Sequence, residues 1–162
     1  MKRYIGTKLI NAKPMTRQAY NNFRGWTLPA EENGADEGYL VEYVDGGKGN
    51  TDHYAGYVSW SPADVFDRAY RPCEGMTFGQ AIESLKSGQK VARKGWNGKG
   101  MFVYYVPANA YPAQTGVAKS HFGSDALVPY NAYMAIKNVN NTVSTWVPSV
   151  NDCLSEDWEI VE

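Results

Sequence analysis

Cysteine and histidine are scarce in this chain of 162 residues, two of each. Cys73 and Cys153 lie far apart and form no C-x-x-C, so they read as reduced thiols, with a disulfide between them left open. His53 and His121 have no companions at metal-ligand spacing, and a zinc site needs about four ligands. His53 reads as a solvated loop residue, and His121 falls in a long connection that could act as a lid. A surplus of one charge is also missing. Sixteen basic and seventeen acidic residues give a net charge of −1, which excludes the broad positive footprint of a nucleic-acid polymer binder. A small anionic ligand stays compatible, because two or three local cations suffice for it. Long apolar runs are absent, so no segment reads as a bilayer span. The opening Met1-Lys2-Arg3-Tyr4-Ile5-Gly6 carries no apolar signal region. The expectation is a cytoplasmic protein without a membrane partner. No G-x-S-x-G, P-loop or dinucleotide glycine fingerprint occurs. Asp45-Gly46-Gly47 lacks the later acids of a calcium loop. Nothing in the chain calls for a metal or a cofactor.

Aromatic residues are abundant, with twelve tyrosines, five tryptophans and an aromatic share of 14%. Tyr and Trp join a broad apolar face to a polar handle and suit interfaces and flat ligands. A β-rich fold is the plainer account of the same bias. The hydrophobic share of 43% supports a packed core.

Arg71-Pro72-Cys73-Glu74-Gly75 reads as a boundary, giving modules at residues 1–72 and 76–162. In the first, Tyr4 to Ala12 has strand character. Thr16 can cap a short helix, Arg17 to Phe23, which Gly25 ends. Gly38 to Val44 alternates as a strand, residues 45–50 turn, and Gly56 to Trp60 is the partner strand. Ser61-Pro62-Ala63-Asp64 starts a helix with a serine cap and proline first, running to about Tyr70.

The second module opens with the capping box Thr77-Phe78-Gly79-Gln80. Its helix buries Phe78, Ala81, Ile82 and Leu85, an i, i+3, i+4, i+7 stripe, and ends at Ser87-Gly88. Strands follow at Lys90–Lys94 and Met101–Val106, with Asn97-Gly98 suggesting a type I′ hairpin, although Gly95 and Gly100 allow a wider loop. Residues 107–130 form a long connection. A second hairpin spans Tyr133–Lys137 and Thr142–Val147, then a helical turn within Pro148–Leu154, then a strand at Asp157–Val161. The predicted class is α+β, two small modules, the C-terminal one a helix packed on an antiparallel sheet.

Val91 to Met101 is the most informative stretch, with three cations, one tryptophan and three glycines in eleven residues. Glycines let backbone approach a ligand and expose N–H groups. Arg93, Lys94 or Lys99 can pair with phosphate oxygens, and strand alternation lets only one of Arg93 and Lys94 face a given side. Trp96, at a hairpin rim beside glycines, offers a face to a nucleobase. The plainer reading is a basic hairpin with one buried tryptophan. The acids Glu156, Asp157, Glu159 and Glu162 read as a charged final strand or, alternatively, as the source of an acid–base pair.

Four segments taken in order carry a family resemblance. They are Met76-Thr77-Phe78-Gly79-Gln80-Ala81, Ala92-Arg93-Lys94-Gly95-Trp96-Asn97-Gly98-Lys99-Gly100-Met101, Val128-Pro129-Tyr130 and Leu154-Ser155-Glu156-Asp157-Trp158. Together they resemble the second Thoeris anti-defence family of phage proteins over residues 76–162. The resemblance implies a sponge that binds a cyclic ADP-ribose isomer of the glycocyclic type, made by bacterial TIR-domain proteins, and starves the downstream effector. It implies a homotetramer or homodimer with pockets between subunits, some members also binding a cyclic dinucleotide. It implies action in the cytoplasm of the infected bacterial host. The family's Gly-Trp-Asn-Gly tryptophan falls on Trp96. The expected ligand contacts are Trp96, Asn97, Arg93, Lys94, Lys99, Met101, Tyr104, Tyr130, Trp146 and Asp157, with no catalytic residue. One departure bears on ligand preference. The family's Gly-Trp-Leu-Ala-Ser-Gln is replaced here by Thr145-Trp146-Val147-Pro148-Ser149-Val150. Residues 1–72 are similar to a small module recurrent in phage proteins and suggest no activity. The competing readings are an enzyme that cleaves the same signal, with Asp157 or a nearby acid as base, and a structural or regulatory phage protein.

Overall fold

The computed structural model describes Met1–Glu162 and divides into two compact units, Met1–Arg71 and Pro72–Glu162. In the first unit, strand β1 (Ile10–Pro14) leads into helix α1 (Arg17–Arg24), and β2 (Gly38–Tyr43) pairs with β3 (Tyr57–Pro62) before α2 (Ala63–Ala69). The sheet is antiparallel in the order β1-β2-β3. Thr16 caps α1 by accepting from the Ala19 N–H at 3.3 Å, and Gly25 closes it in the left-handed region at φ 68°. Tyr20, Leu40 and Val58 form the core, with Met15, Phe23, Tyr54 and Trp60 packed beside them.

Two expectations for this unit are corrected. The first strand starts at Ile10, not Tyr4, because the ladder begins at Ile10↔Tyr43 and β2 ends at Tyr43. Residues before Ile10 have no strand to pair with, and Tyr4 and Ile5 are exposed. Ser61 does not cap α2. The ladder of β3 holds Ser61 opposite Tyr39 and Pro62 opposite Gly38, so Pro62 takes the cap position and α2 has no side-chain cap.

In the second unit, Thr77 and Gln80 form the capping box of α3 (Phe78–Lys86), with Gln80 N–H donating to Thr77 Oγ1 at 3.4 Å and Thr77 N–H to Gln80 Oε1 at 3.0 Å. Next come β4 (Lys90–Arg93), β5 (Phe102–Val106), β6 (Asn109–Pro112), α4 (Gly116–Phe122), β7 (Leu127–Tyr130), β8 (Tyr133–Lys137), β9 (Val143–Trp146), α5 (Val150–Leu154) and β10 (Trp158–Val161). The main sheet is antiparallel, five-stranded, in the order β10-β4-β5-β8-β9. Val91, Val103 and Ile136 form one register row across it. They join Ala81 and Leu85 of α3, Met76 and Trp158 in the core. Phe78 and Ile82 complete the helical stripe from its half-buried flank. The unit is thus a helix on an antiparallel sheet, in an α+β chain.

The 107–130 connection is not structureless. β6 and β7 pair as a separate two-stranded sheet, with α4 between them. Pro112 and Pro129 mask these strands in the sequence because proline cannot donate to a ladder. In a two-stranded antiparallel sheet every second residue points its backbone groups outward, where proline costs no ladder bond. The outer edge of β10 is covered. Met76 and Trp158 exchange backbone bonds at 2.8 and 3.2 Å, and Ile160 N–H donates to Cys73 O at 3.1 Å. No strand pairs with the outer edge of β9. Both cysteines are free and exposed. No helix is long and apolar enough to cross a membrane.

Candidate ligand-binding loop

Antiparallel topology brings three connections to one end of the main sheet. β4 ends at Arg93 and β5 starts at Phe102, so residues 94–101 loop out there. Phe102 pairs with Lys137 at the end of β8, so the 138–142 turn lies beside that loop. Arg93 pairs with Trp158 at the start of β10, which brings the segment after α5 to the same place. The loop is not a type I′ hairpin. That turn needs positive φ at both central residues, and neither Asn97 nor Gly98 has it.

A partly buried ion cluster anchors the loop. Arg93 donates from Nε to Asp157 Oδ1 at 2.8 Å, from Nη2 to Asp157 Oδ2 at 3.3 Å, and from Nη1 to Asp152 Oδ1 at 2.9 Å. Its side chain is only 16% exposed. Asp157 Oδ2 also accepts the Gly95 N–H at 2.8 Å. A Cβ at Gly95 would lie 2.7 Å from that oxygen and push the carboxylate aside. Asp152 Oδ1 accepts the Trp96 indole N–H at 3.1 Å. Its Oδ2 accepts from the Ser149 N–H at 2.9 Å and the Ser149 hydroxyl at 2.7 Å. Burial alone would push Asp152 up; the donors on Ser149, Arg93 and Trp96 outweigh it and bring the carboxyl down to about 2. The Arg93 hydrogen bond holds Asp157 below the usual carboxylate range against its own burial, with help from the Gly95 N–H. The same Asp157 bond pushes the Arg93 guanidinium up. All three groups are therefore ionised at neutral pH, and both Asp157 oxygens are committed to donors.

Trp96 sits on this cluster rather than standing free at a rim. Its ring meets Trp158 at 5.5 Å and Trp146 at 6.2 Å, both edge-on, and it is half-buried against the core. Small neighbours were expected to leave the indole uncovered. They do not cover it; Trp158 of β10 and Trp146 of β9, distant in sequence, do. Gly98 lets the loop close down, because a Cβ there would run into the Met101 sulfur and come within 2.7 Å of Val139. Lys94, Asn97 and Lys99 of the loop are all exposed. Lys137 Nζ braces it through the Gly100 carbonyl at 3.1 Å.

The ten residues expected from sequence therefore divide. Arg93, Trp96, Trp146 and Asp157 meet in the anchor, and Met101 packs under the loop. Arg93, expected as a phosphate partner, has its guanidinium engaged by two carboxylates. Lys94, Asn97 and Lys99 are exposed; Lys94 has only Glu74 at 3.8 Å. Tyr104 does not join them. It alternates with the core residue Val103 along β5 and so faces the other side of the sheet, near Phe102. Tyr130 ends β7 in the small sheet, against Tyr111 at 5.9 Å. Asp152 and Ser149 were missed, although Ser149-x-x-Asp152 spacing is a helix-start signal and the pair forms a capping box on α5. No group of three His, Cys, Asp or Glu side chains is placed to hold a metal.

Residues 76–161 match the family described as the Thoeris anti-defense 2-like domain. Over 86 residues the chain is 38% identical to a protein of Bacillus phage SP01 named "Thoeris anti-defense 2", a match that covers 53% of this chain and 94% of that protein. The resemblance read from the motifs is thereby borne out over the second unit. Trp146 and Ser149 both take part in the anchor.

Proposed function

This chain belongs to the Thoeris anti-defense 2-like family through residues 76–161, and from that premise we propose that it is a phage anti-defence protein whose second unit captures a nucleotide-derived immune signal and withholds it from its effector. The ligand class is a cyclic ADP-ribose isomer, with a cyclic dinucleotide as a second ligand. The observation that carries the reading is the glycine-rich 94–101 loop, clamped through Arg93, Gly95 and Trp96 and carrying the exposed Lys94 and Lys99. Preorganisation lowers the ordering cost of binding. Lys99 and Lys94 supply charge to a pyrophosphate, Asn97 supplies donors and an acceptor, and the open part of the Trp96 indole supplies a stacking face. Capture without cleavage is favoured by the engagement of Asp152 and Asp157 with donors, which leaves neither as a poised base. The protein acts as a homotetramer or homodimer in the host cytoplasm.

The test incubates the full chain with the cyclic ADP-ribose isomer, removes unbound material, denatures the protein by heat and identifies what is released. Intact signal supports a sponge. A breakdown product would make the protein an enzyme, and an empty protein would leave a structural or regulatory role.

A further inference from the structure

The first unit carries a cleft of about 740 Å³, within the roughly 300–1,000 Å³ typical of small-molecule sites. Two arginine–tryptophan pairs line it. Arg17 lies 4.4 Å over the Trp60 ring and Arg24 lies 4.5 Å over the Trp26 ring. Tyr20 and Tyr57 complete the aromatic lining.

The two arginines differ in their charge balance. Arg17 is neutralised by Glu32 at 2.9 Å and Asp36 at 3.2 Å, so it is a wall of the cleft. Arg24 donates to the Tyr20 hydroxyl at 3.4 Å and pairs with no carboxylate. Its partner ring is held in place by the end of α1. Gly25 N–H bonds to Asn22 O at 3.1 Å and Trp26 N–H to Asn21 O at 2.9 Å, the doubly bonded termination that left-handed glycine permits. Trp26 is nevertheless 53% exposed and Tyr57 48%. Rigid backbone thus displays large aromatic surface beside one uncompensated guanidinium. A solvated salt bridge or a packed core would not leave that combination in a cavity.

We propose that this cleft is a second binding site, for a small molecule with a flat ring system and one anionic group, of the mononucleotide class. The base stacks on the exposed aromatic surface, and the phosphate takes the free N–H groups of Arg24. The site lies wholly within residues 17–60 and is independent of the second unit's ligand.

The experiment is calorimetric titration of the full chain with adenosine 5′-monophosphate, then with adenosine and ribose 5-phosphate separately. The nucleotide binds, and each fragment binds at least about tenfold more weakly, as expected when stacking and charge each contribute over 1.4 kcal/mol. Arg24→Gln and Trp26→Ala each lower affinity at least about tenfold with the melting curve of the first unit kept, whereas Lys99→Ala leaves it unchanged. Arg24→Lys keeps the charge and loses the planar fork, and recovers less than half of the lost binding free energy. Three results would overturn the proposal. One is no binding of adenosine, guanosine, cytidine or uridine monophosphate at millimolar concentration. Another is affinity indifferent to Arg24→Gln. The third is a loss caused by Lys99→Ala alone, which would place the nucleotide in the second unit.

Discussion

Asp152→Asn tests the anchor most directly. The carboxyl lies near 2 in the folded chain against an ordinary 3.8, and the side chain is only 12% exposed. At about 1.36 kcal/mol per pKa unit, the ionised form contributes roughly 2.5 kcal/mol. The sign follows from linkage. A folded-state value below the unfolded one means the contribution is whole above pH 3.8 and is lost as pH falls through about 2. The amide keeps the shape but offers weaker acceptors to Arg93, Trp96 and Ser149. At neutral pH the variant should therefore lose most of that energy, which for a domain of this size lowers the melting temperature by roughly 10–20 °C. Unfolding should be followed through the indole proton signals of Trp96 and Trp158, which report the second unit alone. The natural chain should lose stability steeply as pH falls from about 3.8 to about 2, and the variant less steeply, retaining only the share due to Asp157. A variant melting within about 3 °C of the natural chain, or parallel pH profiles for the two, would refute the claim that this ion cluster supports the loop.

Trp96→Ala should cost roughly 2–4 kcal/mol of stability, since the half-buried ring leaves a void between Trp146 and Trp158 and the Asp152 carboxylate loses one of its donors; urea unfolding measures it. Lys99→Ala should leave the melting temperature within about 1 °C and weaken capture of the cyclic ADP-ribose isomer by roughly ten- to a hundredfold, the worth of a charge-assisted bond. Equilibrium dialysis with labelled ligand would show it. Thr77→Ala should cost about 1 kcal/mol by removing one half of the α3 capping box, seen as a shift of the denaturant midpoint with an unchanged slope.

Local signals in the sequence held where no distant pairing competed with them, and failed at Ser61 and at Asn97-Gly98, where one did or where the loop closed differently. Thr16, Gly25, Thr77 and Gln80 act within one helical turn of themselves, so their residue types alone indicate the ends of α1 and α3. The stripe of Phe78, Ala81, Ile82 and Leu85 likewise follows from helical period. The loop's cations were legible as a cluster because they are adjacent in the chain. What escaped was settled across large separations. Arg93 meets Asp157 and Asp152, more than fifty residues away, and no local pattern says that its charge is already engaged. Trp96 looked uncovered because its chain neighbours are small, while its actual cover comes from Trp146 of β9 and Trp158 of β10. Ser61 had every mark of a helix cap, yet the ladder of β3 claimed it. Tyr104 and Tyr130 were chosen for chemistry alone, and only the pleat and the small sheet show that they point elsewhere.

The unequal edges of the five-stranded sheet have a geometric consequence. One side is sealed by the chain itself, through Cys73 and Met76 against β10. The other side, β9, ends in unpaired backbone groups. A sheet with one live edge has a valence of one. If a second copy pairs along β9, its own live edge is consumed in the same contact and both remaining edges are sealed. Growth by strand addition then terminates at a closed ten-stranded pair, and fibre formation along this sheet is forbidden by topology rather than by charge.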